Sequence, residues 1–193
     1  MVDWELVISL SIPLLIPTSL YVYGRIRTRQ RVAQALIREI EKNSSNCHGL
    51  RPHLIECCIV PGSPQNAREQ TREDEPINYT EGMVPPATRF TRVALDSAAT
   101  ELSHFREKTS EEVYEYYRTL GYVSGIVDSL HHGIDLPPAA FPNFTVRFDE
   151  IENETNDLVF NLKVETKPFP RLYRLWLRIK AKLHDDEYSD KLY

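Results

Sequence analysis

Glycine is scarce, at seven in 193 residues, and the chain has no Gly-rich phosphate loop, no G-x-S-x-G turn and no H-E-x-x-H pair. These absences remove the usual sequence signatures of phosphate-loop nucleotidases, serine hydrolases and zinc peptidases. Cysteine is rarer still. Cys47, Cys57 and Cys58 are odd in number and two are adjacent, which is a poor disulfide framework and suits a reducing compartment. A second full-sized catalytic domain does not fit, because domains mostly run to about 100–150 residues. The acidic residues lie scattered on helical patterns, where they usually form a solvated surface, and the chain is read as non-catalytic.

A broad basic surface is also missing. The net charge is −5, yet Arg25 to Lys42 carries +4 and Lys167 to Lys182 carries +6, leaving −15 for the remainder. An acidic body with two basic elements argues against nucleic acid as a partner, since neutralising phosphates needs a wide basic face. It fits attachment to an anionic lipid surface.

Only one long uncharged run exists, the 18 residues from Leu6 to Tyr23, near the lower limit of a spanning helix. Pro13, Pro17 and four Ser/Thr residues dilute it. Trp4, Tyr21 and Tyr23 stand where interfacial aromatics belong, and the leading acids and bulky closing residues argue against a cleaved signal. Arg25, Arg27, Arg29 and Arg31 then orient the span, with the N-terminus outside and the C-terminal domain cytoplasmic. Four Asn-x-Ser/Thr tripeptides, at Asn43, Asn78, Asn143 and Asn153, are the one feature that opposes this orientation.

The chain divides into a transmembrane anchor (1–24), a basic juxtamembrane helix (25–46), a Cys/His segment (47–61), a polar linker or loop (62–86), a helical hairpin (87–133), a Pro-rich loop with a β-hairpin (134–167), and a basic amphipathic helix with an acidic tail (168–193). The expected fold class is mainly α with a small β-hairpin, an α+β domain behind a transmembrane helix. Val113, Tyr116, Leu120, Val123, Val127 and Leu130 recur at spacings of three and four, a seam for lengthwise packing on the preceding helix or on a second copy. Thr109 and Glu112 read as a capping box, and Gly133 as a C-terminal cap. Phe144, Val146 and Phe148, then Leu158, Phe160, Leu162 and Val164, alternate with period two about "ENETND", which predicts the hairpin. In "RLYRLWLRIKAKL", Leu172, Leu175, Trp176 and Ile179 share one stripe, and Arg171, Arg174 and Arg178 lie off it. That pattern predicts a helix in a membrane interface, with packing inside the domain as the alternative.

Cys47, His48, His53, Cys57 and Cys58 are thiol and imidazole ligands of the kind zinc selects. The cluster has no C-x2-C knuckle, so zinc stands only as an alternative, within a metal- or redox-responsive reading, and no other cofactor is expected. The layout, with "ALIREIEKN" at Ala35 to Asn43 and the words "TRFTRVALDSAATEL" and "EEVYEYYRTLGYVSGIVDSL", resembles uncharacterised single-span prokaryotic membrane proteins, particularly archaeal ones. The resemblance implies a membrane location and a cytoplasmic helical pair, and it assigns no functional residue. The resulting expectation is a membrane-anchored interaction, scaffold or sensor protein, with the bilayer and a protein partner or a second copy as its contacts.

Overall fold

Three stretches of the chain repeat buried residues at alternating spacings of three and four, and each is a long helix in the computed structural model, which describes residues 4–56, 89–132 and 140–184. Side chains are described for 15–53, 89–132 and 143–181. The first helix, α1 (Trp4–Glu56), has 53 residues and is about 80 Å long at the usual helical rise. It buries Ala33, Leu36, Ile40, Asn43, Cys47 and Leu50. A short helix α2 (Val93–Ala98) and a 3-10 turn (Glu101–His104) follow. The long helices α3 (Glu107–His131) and α4 (Ala140–Glu165) come next, then α5 (Pro170–His184).

The helix α4 is the shared partner of α1 and α3. It buries Phe144, Phe148, Ile151, Thr155, Leu158 and Leu162, and these side chains join one apolar core with the α1 stripe and with Val113, Tyr116, Leu120, Val123, Val127 and Leu130 of α3. A 3-4 repeat keeps one stripe turned toward a partner along the whole helix, so three such helices close a bundle lengthwise. The gap between α1 and α3 is bridged by tyrosines. Tyr116 donates to the Ile40 carbonyl at 3.4 Å and Tyr117 donates to Glu39 Oε1. Burial, and then the bond to the Glu39 carboxylate, push the Tyr117 phenol well above its ordinary range, so it stays a donor.

Buried polar groups tie α2 to this core. Asn43 is fully buried within the α1 stripe, donating to the Thr91 carbonyl at 2.7 Å and accepting the Thr91 N–H at 3.0 Å. Glu39 Oε2 accepts the Ala94 N–H at 2.9 Å, a carboxylate on the first turn of a helix where the dipole favours negative charge. Leu95, Leu102 and Phe105 then complete the core.

Several expectations are corrected. The β-hairpin over 134–167 is the helix α4, and no strand occurs among the described residues. Buried Val159 breaks the alternation, and "ENETND" exposes Asn153, Glu154, Asn156 and Asp157 while Glu152 pairs with Arg51 of α1 and Thr155 is buried. Pro142 falls in the first turn, where its missing N–H costs nothing. The helical hairpin over 87–133 is not found, because its first arm breaks into α2 and the 3-10 turn and α3 packs mainly on α4. The capping box fails as well, since α3 starts at Glu107 without a side-chain cap. Gly133, Cys57, Cys58 and the 62–86 linker lie outside the described residues.

Among the described residues, no helix is long and apolar enough to cross a membrane. Within α1 the uncharged run from Leu6 to Tyr23 is diluted by Pro13, Pro17 and four Ser/Thr residues, at the lower limit of the length and apolarity a span needs. The single-pass anchor is therefore withdrawn. With it go the outside-to-cytoplasm orientation, the lipid bilayer as partner, the membrane-interface role of α5, and the resemblance to single-span proteins.

The packing predicts a contrast between two substitutions. Phe148→Ala, at the bundle centre, should lower the unfolding free energy by roughly 3–5 kcal/mol. Gly121→Ala should raise it by about 1 kcal/mol, since Gly121 is helical and exposed and an added methyl meets nothing within 4 Å. Denaturant melts of both variants check this; a destabilised Gly121→Ala would contradict the helix placement.

Candidate functional site

The C-terminal end of α4 gathers polar and charged side chains from four helices. Glu165 is only 2% exposed, and a carboxylate out of water must find a cation. Arg174 of α5 supplies it, with Nη2 3.3 Å from Glu165 Oε1. The same guanidinium reaches Asn161 Oδ1 at 3.1 Å and Thr109 Oγ1 at 3.3 Å. One arginine thus joins α5 to α4 and α3.

The backbone of the same helix end is held from α1. Arg29 donates to the carbonyls of Glu165 at 3.1 Å, Lys167 at 2.7 Å and Pro168 at 3.1 Å, and Gln30 donates to the Thr166 carbonyl at 2.7 Å. Helix C-termini leave carbonyls without partners and carry partial negative charge, so a guanidinium from another helix satisfies both needs. Partial burial lowers the Arg29 pKa, and Glu165 partly offsets this. Of the other arginines assigned to topology, Arg25 contacts His104 Nδ1 at 2.8 Å, while Arg27 and Arg31 are exposed.

Arg174 turned inward leaves the apolar stripe of α5 outward. Leu172 is 64% exposed, Leu175 53%, Trp176 53% and Ile179 50%. Phe169, just before the helix, is also exposed. Between α5, Arg29, the 3-10 turn and the start of α3 lies a cleft of about 1000 Å³, which contains Arg106, Arg171 and Arg178 besides Arg29 and Arg174. Composition alone could flag the α5 arginines, but nothing in the sequence joins them to Arg29 and Arg106.

The six residues of the α3 seam are all buried inside the chain, so they are core and offer no contact surface. Of the thiol and imidazole cluster, Cys47, His48 and His53 are described, and they lie in different surroundings. Cys47 is buried and its thiol is pushed up to about 12, first by burial and then by Glu152, whereas His48 and His53 are exposed. His48 Nδ1 lies 3.8 Å from Glu152 Oε1, beyond hydrogen-bond range. Among the described residues, no group of three or more His, Cys, Asp or Glu could hold a metal ion. A neutral, buried thiol is also a poor nucleophile.

Compared with protein-family models, curated proteins and solved structures, the chain matches none.

Two expected outcomes follow from the Arg174 node. Arg174→Met leaves Glu165 buried and unpaired and should cost roughly 3–5 kcal/mol, and adding Glu165→Gln should restore at least about 1 kcal/mol. Strictly additive losses in that cycle would mean the two side chains do not interact. Beside the node, Glu112 accepts Asn161 Nδ2 at 2.9 Å, and burial raises its pKa above the ordinary 4.5. The folded chain holds this proton more tightly than the unfolded chain, so stability falls as pH rises from about 4.5 through the raised value and is level above it. Glu112→Gln should remove that fall, making the variant lose less stability than the wild type between about pH 4 and about pH 7. A larger loss in the variant would reverse the sign assigned here.

Proposed function

We propose that the chain is a non-catalytic interaction and scaffold protein that presents α5 as a docking helix to a partner protein. The observation that carries the reading is the outward stripe of Leu172, Leu175, Trp176 and Ile179, half or more exposed on a helix whose inward-turned Arg174 fixes its rotation. Contiguous exposed apolar surface rimmed by charge marks interaction sites, and Trp is among the residues that dominate binding energy.

The rim indicates the partner's chemistry. Arg171, Arg178 and Lys180 flank the stripe with no acidic residue between Lys167 and Lys182. Two copies of this helix would bring like charges together, which disfavours self-pairing through α5. The complementary surface is an apolar groove or helix edged with Asp and Glu. Leu15, Ile16 and Leu20 on α1 are also exposed and offer a second apolar contact.

The test separates docking from folding. Leu172→Glu/Ile179→Glu should leave unfolding free energy within about 0.5 kcal/mol of wild type, as exposed positions do. It should also abolish photo-crosslinking to protein from a probe at position 176 in cells. A loss of stability above about 2 kcal/mol would make the stripe core, and crosslinking that persists unchanged would make the surface incidental.

A further inference from the structure

The cleft beside α5 is strongly cationic. Arg29, Arg106, Arg171, Arg174, Arg178 and His104 line it, against the carboxylates Glu107 and Glu165. Five guanidiniums against two carboxylates leave an excess of three positive charges in a protein whose overall charge is −5. Arg174 is committed to Glu165, and Arg29 to the carbonyls that end α4. Arg106 and Arg171 line the same cleft and are exposed, so their guanidiniums are accessible to an anion.

We propose that this cleft binds a phosphate-bearing small molecule with an apolar or aromatic body, of the nucleotide type. Guanidinium forks match phosphate oxygens in pairs, and an excess of three charges matches a di- or triphosphate. Phe105, Phe169, Leu172 and Leu175 complete the lining and supply a wall for a base or another apolar group. At about 1000 Å³ the cleft is at the upper end of the range for small-molecule sites, roughly 300–1000 Å³. Nucleic acid fits less well, because the chain as a whole is acidic and neutralising a phosphate backbone needs a wide basic face. Recognition would not need a glycine-rich loop, which the sequence lacks, because side chains replace backbone N–H groups as the donors.

The cleft shares Leu172 and Leu175 with the docking stripe, but its cations Arg106 and Arg171 lie outside the stripe, so their variants test this proposal apart from the docking reading. Calorimetric titration of the full chain with ATP, pyrophosphate and adenosine tests it. ATP should bind, pyrophosphate more weakly, and adenosine without detectable heat. Arg106→Gln/Arg171→Gln should weaken ATP at least about tenfold while leaving the ligand-free melting temperature unchanged. If the double variant melts abnormally, Arg171→Gln alone should still weaken ATP severalfold. No binding of ATP or pyrophosphate at about 1 mM, or equal ATP affinity in a well-folded double variant, would overturn the site. Pyrophosphate binding as tightly as ATP would remove the apolar body from the proposal, and a hexaglutamate peptide binding more tightly than ATP would replace the nucleotide with an acidic peptide.

Discussion

A carboxylate buried at the end of a helix must be given a positive charge, and the way Glu165 meets that demand fixes how α5 sits on α4. Its side chain takes Arg174 from α5, while its carbonyl and those that follow take Arg29 from α1. Desolvating an ion costs several kcal/mol unless partners replace the lost water. The arginine therefore has little freedom to turn outward. Because Arg174 points in, Leu172, Leu175, Trp176 and Ile179 point out, since residues on opposite sides of one helix cannot both be buried against the same neighbour.

The same geometry creates the cleft. Pulling α5 onto α4 through one arginine leaves the other α5 arginines beside Arg106 and Arg29, around a concavity rather than spread over a surface. An apolar docking stripe and a cationic recess are thus two consequences of a single ion pair. They need not serve the same partner, but both depend on the rotation of α5.

Much of the bundle was legible as periodicity. The α3 seam reads as helix and is helical, and the α5 pattern marks a true helix. The failure at α4 has a specific cause. Phe144, Val146 and Phe148 satisfy a two-residue alternation, while the longer register Phe144, Phe148, Ile151, Thr155, Leu158, Leu162 was hidden by a polar member, Thr155, and by Asn and Asp residues that usually mark turns. Asn43 hid the α1 register in the same way, since a buried amide satisfied by the Thr91 backbone looks from sequence like a helix stop. Arg29 was misassigned for a different reason. A guanidinium that caps a helix 136 residues away leaves no local trace, and the run from Leu6 to Tyr23 suggested a bilayer that the described helices are not long and apolar enough to cross.

The rotation of α5 can be read from one fluorophore. With Trp4 replaced by phenylalanine, Trp176 is the sole tryptophan, and its emission in the purified native chain reports directly which side of α5 meets water. The account predicts water-like emission, strongly quenched by acrylamide and even more by iodide because Lys180 lies over the ring at 5.8 Å. Blue-shifted emission shielded from both quenchers would place the stripe in the interior and contradict the inward Arg174 on which the rest is built.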